Sequence, residues 1–328
     1  KRDEIMRLQR IWLAVLCMAV LLLAGCKPDN AATGGDKTSS ADKGVFAEIT
    51  DFENRKITLQ KKPERVVVLA PSLLGYVDTV GGKIVGRPTG KEKDIPPSML
   101  NIPEVGHVYN VSMEKVVSLK PDLVILNAQL HDKFIKMLDS SHIPSVVLQP
   151  KTYDEIKQAL LITGKIFGNE AAAVEQNKKM DQEVQGILAK VPAGEHKKIV
   201  ILHATPSTVT VELENSIAGG VAKLLGFKNV AGGAKAVEGS PERTPYSIEA
   251  LVEQDPEILF ITSMGAREKI ESRLQADVKG NPAYVALRAV RQQKVYVLPE
   301  NLFLLNPGLR YPEAVKLMAK DVYPELFN

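Results

Sequence analysis

A fourteen-residue pattern occurs twice in this chain, and it constrains the fold more than any other feature. "MEKVVSLKPDLVIL" begins at Met113 and "IEALVEQDPEILFI" begins at Ile248, so equivalent positions stand 135 residues apart. Glu114 falls on Glu249, Val117 on Val252, Pro121 on Pro256, and Asp122 on Glu257. Each copy reads as a short helix, a proline that ends it, an acid, and a buried strand. A supersecondary unit built twice in this way predicts two related α/β lobes.

The surrounding sequence supports that division. "RVVVLAP", "KIVGRP", "DLVIL" and "PSVVLQP" are short apolar runs with helical stretches between them. The alternation restarts after Pro192 with "KIVILHA", "SIAGGVAKLLGF", "EILFIT" and "KVYVL", and "YPEAVKLMAKDVYPELF" closes the chain as an amphipathic helix. Continuous β-branched runs fit strands covered on both faces, as in parallel sheets. Between the lobes, Ile156, Leu160, Thr163 and Phe167 fall at helical spacing, and "GN" then breaks that helix. A long polar helix follows, with Val174, Val184, Leu188 and Val191 expected on its buried side. Before the first lobe, "GVFAEITDFENRKITLQKKP" reads as a small hairpin. The expected architecture is α/β: two Rossmann-like lobes with central parallel sheets, joined by one long helix. Its expected segments are a leader (1–25), a flexible tether (26–45), an N-terminal lobe (46–168), a linking helix (169–191) and a C-terminal lobe (192–328).

The leader is read from "KRDEIMRLQR" followed by the apolar run "IWLAVLCMAVLLLAG". A basic start and an apolar core shorter than the ~20 residues of a membrane span describe a secretory signal. The run ends in "LLLAGC", which resembles the lipobox of bacterial lipoproteins. By that resemblance Cys26 is the first mature residue and the lipid (palmitate) attachment site. The Gly-, Ser- and Ala-rich stretch after it suits a tether. Only two cysteines are present, Cys17 and Cys26, so the lobes hold no disulfide and no thiolate metal site. Two of the three net positive charges sit in the leader, and a near-neutral remainder gives no footing for nucleic acid.

Signatures of catalysis are missing: there is no G-x-S-x-G, P-loop, H-E-x-x-H or G-x-G-x-x-G. The expectation is a chain that is not an enzyme and carries no catalytic cofactor. Of the five histidines, no two are three or four residues apart. His131, His142 and His196 lie in polar stretches and are expected to be solvated. His203 ends a buried strand, where an interlobe cleft is expected. Other cleft candidates at strand ends are Ser72, Tyr76 and Arg87 in the first lobe. In the second they are Arg243, Tyr246, Met264 and Arg310. The arginines could pair with anionic groups of a ligand.

"PERVVVLAP", "VGRP", "IPEVGHVYNVSMEKVVSLKPDLVI", "FKNVAGG" and "SIEALVEQDPEILFI" together resemble the substrate-binding lipoproteins of ABC importers. The likeness is to the class with a single linking helix, which handles ferric siderophores, haem and cobalamin (the class III periplasmic-binding-protein fold). It implies a monomer anchored by lipid on the outer face of the cytoplasmic membrane. It also implies a permease dimer with ATPase subunits as partner, with Glu114 and Glu249 as the surface carboxylates that meet the permease. Haem is the first ligand expected and a ferric siderophore the second. Tyr109 occupies the position from which similar haem receptors of Gram-positive bacteria supply a methionine ligand. Tyr109 as iron ligand and Tyr109 as an aromatic wall remain open alternatives. The second axial histidine of those receptors is absent, and Ser263 or Met264 stands nearest its place. The only tryptophan is Trp12, in the leader, which disfavours a corrin ligand. The rivals from other classes are an enzyme on the same scaffold and a receptor for a bare metal ion.

Overall fold

A computed structural model describes residues 44–327 apart from 193 and 195. The expected leader and the acylation site Cys26 lie outside these residues. The described chain opens with an antiparallel hairpin, β1 (Ala47–Thr50) and β2 (Lys56–Leu59). Buried Asp51 holds its turn, accepting from the amides of Glu53 and Arg55 at 3.0 and 2.9 Å and pairing with the Arg55 guanidinium at 2.7 Å. It also accepts from the Val147 amide at 3.1 Å, which fastens the hairpin to the first lobe.

The first lobe is built on β3 (Val66–Val68), β4 (Ile84–Thr89), β5 (Glu104–His107), β6 (Asn110–Val111), β7 (Leu123–Leu126) and β8 (Ser145–Val147). Their order is β6-β5-β4-β3-β7-β8, and every pair is parallel except β5 with β6. The runs of β3, β7 and β8 are buried throughout, as strands covered on both faces require.

The second lobe contains β9 (Lys198–Ala204), β10 (Val209–Glu212), β11 (Lys228–Asn229), β12 (Arg243–Pro245), β13 (Ile258–Ser263) and β14 (Val295–Val297). The order is β12-β10-β9-β13-β14, with β11 beside the start of β9. β10 and β12 run antiparallel to their neighbours. Only four residues connect β9 to β10, and the Thr205 hydroxyl accepts from the Ser207 and Thr208 amides there. So short a loop can only return the chain antiparallel.

The sequence repeat is a structural repeat, and it extends beyond the matched letters. Ser112 caps the helix Met113–Ser118 by accepting from the Lys115 amide, and Ser247 caps Ile248–Gln254 by accepting from the Ala250 amide. The chain leaves each helix through a left-handed residue, Lys120 (φ 47°) and Asp255 (φ 45°). Asp122 then accepts from the amides of Glu64 and Arg65 just ahead of β3, and Glu257 accepts from the Lys198 amide at the start of β9. Arg65 returns a bond to the Leu119 carbonyl at 2.7 Å, and Lys198 Nζ reaches the Gln254 carbonyl at 3.5 Å. In both lobes, therefore, the acid after proline ties the end of the helix segment to the start of an earlier, neighbouring central strand.

Two helices lie between the sheets in sequence. Tyr153–Phe167 starts at a Thr152–Glu155 capping box and ends at Gly168 in the left-handed region (φ 63°). Glu170–Leu188 follows, capped by Asn169. The buried stripe of this second helix is Ala173, Asn177, Met180, Val184 and Ile187. Val174, expected inside, is 57% exposed. Close packing against the preceding helix selects small Ala173 over its branched neighbour, and the Gly164 backbone lies against that alanine. Residues of both sheets share one buried cluster with these helices and with Tyr311–Val322; Val66, Ile125, Ile201 and Phe260 all belong to it.

Candidate functional site

A cavity of about 660 Å³ lies where the carboxyl ends of the strands of both sheets meet. Its first-lobe wall follows β3, β7 and β8, with Ser72, Asn127 and Lys151. Its second-lobe wall follows β9, β13 and β14, with His203, Met264 and Glu300, and includes Glu212 and Arg243 from the antiparallel strands. Leu130, Ile217, Phe303 and Leu304 supply apolar surface.

"GHVYN" forms a two-residue hairpin between β5 and β6 with Val108 and Tyr109 at its tip. Gly106 is obligatory there: its φ is +112°, and a Cβ would meet the Asn110 carbonyl oxygen at 2.6 Å. Tyr109 is 68% exposed, and it lines the cavity. Behind it, His131 Nε2 lies 2.9 Å from the Val108 carbonyl oxygen, and Nδ1 accepts from the Asn127 amide at 3.3 Å. His131 is wholly buried, against the expectation that it is solvated. Two backbone partners satisfy its neutral ring, and burial, ahead of the opposing bond to Val108, lowers its pKa.

Two helices begin at the first-lobe wall without a side-chain cap, Pro71–Thr79 and Ala128–Ser140. Their free amides and dipoles favour negative charge in the cavity. Asn127, at the start of the second of these, has a buried Oδ1 with no hydrogen-bond partner. Arg243 has a buried Nε in the same condition. Lys151 Nζ approaches Glu242 at 3.7 Å, and Asn306 Nδ2 donates to the Pro150 carbonyl at 2.9 Å; both contacts join residues that follow β8 to the second lobe.

Of the sequence candidates, Ser72, Tyr109, His203, Arg243 and Met264 line the cavity, and four others do not. Tyr76 is fully buried beneath Gly308, and burial pushes its phenol above the ordinary range. Arg87 is buried and spends its guanidinium on the carbonyls of Met99, Leu100 and Pro88 and on Glu104, at 2.8–3.1 Å. Tyr246 packs on the second-lobe core. Arg310 forms a two-pronged pair with Glu313, both bonds 2.8 Å. Glu114 and Glu249 are exposed in the first turns of their helices and are not cavity residues. Sequence reasoning missed Asn127, Lys151, Glu212, Glu242, Glu300 and Asn306. Asn127 and Lys151 follow strands that were legible, whereas Glu212 lies on a strand that was not read.

The chain matches the family described as "Periplasmic binding protein" over residues 66–302. It is 28% identical over 322 residues to the Fe(3+)-citrate-binding protein of Bacillus subtilis, covering 96% of each chain. To the ferric-anguibactin-binding protein of Vibrio anguillarum it is 25% identical over 298 residues, covering 87% of this chain and 88% of that one. Among solved structures, the Staphylococcus aureus protein IsdE complexed with heme superposes with a TM-score of 0.68 at 23% identity, covering 79% of this chain and 98% of that one. Two α/β lobes, one cavity at their strand ends and a family match over most of the chain lead to one conclusion. This chain belongs to the periplasmic binding protein family, and it is a substrate-binding component of an ABC importer rather than an enzyme.

Proposed function

We propose that the protein captures a ferric complex in the cavity between its two sheets, with haem as the first ligand. The observation that carries this reading is Tyr109, a phenol held at a hairpin tip on the cavity wall. A phenolate is a hard anionic donor suited to Fe(III). Arg243 and Lys151 supply cationic groups for haem propionates. The same cations, with two uncapped helix starts, suit a ferric chelate rich in carboxylates. Similarity to a ferric-citrate binder and a ferric-anguibactin binder favours that second reading.

Titration with haemin, followed by absorbance, tests the first reading. The parent should develop the charge-transfer band of tyrosinate-bound ferric haem, and Tyr109→Phe should lose that band while keeping some apolar binding. A Phe variant with the parent's spectrum removes Tyr109 from the iron and leaves it as an aromatic wall. In that case binding of radiolabelled ferric citrate decides for the chelate.

Substrate-binding components of ABC importers work with a permease and its ATPase. We read Glu114 and Glu249 as the carboxylates that meet that permease, because the repeat presents both in equivalent frames. Cys26 is read as the lipid-bearing residue that keeps the protein at the outer face of the membrane.

A further inference from the structure

The second-lobe wall contains three polar side chains that the sheet has taken out of water. His203, Thr262 and Glu212 are 2%, 1% and 2% exposed. Strand register places them together: His203 is paired with Thr262 across β9 and β13, and with Thr210 across β9 and β10. Glu212, two residues beyond Thr210, shares its face and reaches His203 diagonally.

The hydrogen bonds fix where the protons lie. The Thr262 hydroxyl donates to Glu212 Oε1. A threonine has one such hydrogen, and a carboxylate is its strongest acceptor here; the Leu202 carbonyl stands farther off at 3.5 Å. His203 Nδ1 lies 3.0 Å from Thr262 Oγ1 and 3.4 Å from Glu212 Oε1. With Glu212 ionised, both of these oxygens meet Nδ1 as acceptors, so Nδ1 carries the hydrogen. In the neutral ring, Nε2 therefore holds a lone pair. Nε2 has no hydrogen-bond partner among the described residues, and His203 lines the cavity.

A carboxylate and a hydroxyl behind one imidazole nitrogen, with a bare lone pair on the other, form the arrangement that orients a metal-ligating histidine. We propose that His203 Nε2 fills one coordination position on the iron of the bound complex. The proposal rests on the reading of the ligand as a ferric complex. It narrows the ligand to complexes with at least one position open or held by water, such as haem or a low-denticity carboxylate chelate. A siderophore that fills all six positions has no place for this bond. In the binding step Nε2 donates its electron pair to Fe(III) and a bound water leaves. No proton moves, because Nε2 carries none, and the iron stays ferric. The ligand's own donors fill the other positions.

Two measurements on the full chain test this. Long-range nitrogen–proton NMR of the ligand-free protein should show His203 in the Nδ1–H tautomer. An Nε2–H tautomer, with Thr262 donating to Nδ1 and Glu212 protonated, overturns the proposal. Pulsed EPR of the protein loaded with ferric citrate, and separately with haemin, should show a nitrogen coupling that changes when histidine alone is labelled with ¹⁵N. His203→Gln should remove that coupling and weaken binding of the probe about tenfold or more, and Glu212→Gln should weaken it about tenfold. The labelling comparison needs no variant, so a folding defect in either substitution does not blunt it. Tight binding of either probe without any histidine coupling overturns the role of His203 and leaves the iron reading standing. Binding of neither probe overturns the iron reading, and the coordination bond with it.

Discussion

His131 holds the carbonyl of Val108 at 2.9 Å and thereby sets the position of the neighbouring Tyr109 from behind the cavity wall. The ring is wholly buried and serves two backbone groups from different elements. His131→Phe keeps the volume and strands both groups. It should cost about 1–3 kcal/mol of stability, as unsatisfied buried groups do. Ligand affinity should fall as well, because the hairpin tip loses its support.

The same residue predicts a pH dependence. Burial lowers the His131 pKa in the folded protein, so the unfolded chain binds the proton more readily. Its stabilising contribution is therefore complete above about pH 6.5, the unperturbed histidine value, and is lost as pH falls through the lowered folded value. Urea unfolding at intervals from pH 7.5 to 5 should show this decline in the parent. A His131→Phe variant with an equal slope would assign the decline to other groups.

Arg87 separates structural from ligand-binding roles. Its guanidinium serves three carbonyls and Glu104. Arg87→Ala should destabilise the protein by about 1–3 kcal/mol, because it leaves buried carbonyls without a donor while its exposed partner Glu104 returns to water. Among molecules that remain folded, affinity for haemin or ferric citrate should be near the parent's. A folded, stable variant that has lost its ligand would return Arg87 to the site.

Lys151–Glu242 and Asn306–Pro150 join the lobes beside the cavity. Lys151→Met should change unfolding free energy by about 1 kcal/mol or less, the range of partly exposed ion pairs. Ligand dissociation should nevertheless quicken in Lys151→Met and in Asn306→Ala, as stopped-flow displacement would record. An unchanged dissociation rate in both variants would mean that these contacts do not retain the ligand.

Glu114→Lys combined with Glu249→Lys should abolish uptake into cells and leave binding to purified protein nearly unchanged. A large loss of binding would assign one of the two to ligand capture. Cys26→Ser should block fatty-acid labelling, and labelling of that variant would place the acylated residue elsewhere.

The fold was legible where local chemistry repeats. Proline, acid and a β-branched run specify the same unit at Met113 and Ile248, and each copy folds as read. The site was legible where a polar residue stands at the end of a recognisable strand, as His203 does near the end of β9. It was illegible where a decision is tertiary. Nothing near Arg87 in sequence announces that the carbonyls of Met99 and Leu100 claim its guanidinium. His131 looks solvated beside "QLHDKF", because its partners are backbone groups of Asn127 and of a distant hairpin. Glu212 was missed because its strand is four residues long and earns its place by pairing with β9 and β12. The helix Glu170–Leu188 misled in a third way. Hydropathy ranks Val174 above Ala173, whereas the neighbouring helix leaves room only for a methyl group.

The buried cluster common to both sheets bears on how the cargo is released. Parting the sheets by tearing that cluster would cost about 2.5 kcal/mol for every 100 Å² of apolar surface uncovered. Opening the cavity by that route therefore carries a cost that grows with the apolar area uncovered. A transporter that unloads the cargo by that route must supply that work through the surface it grips.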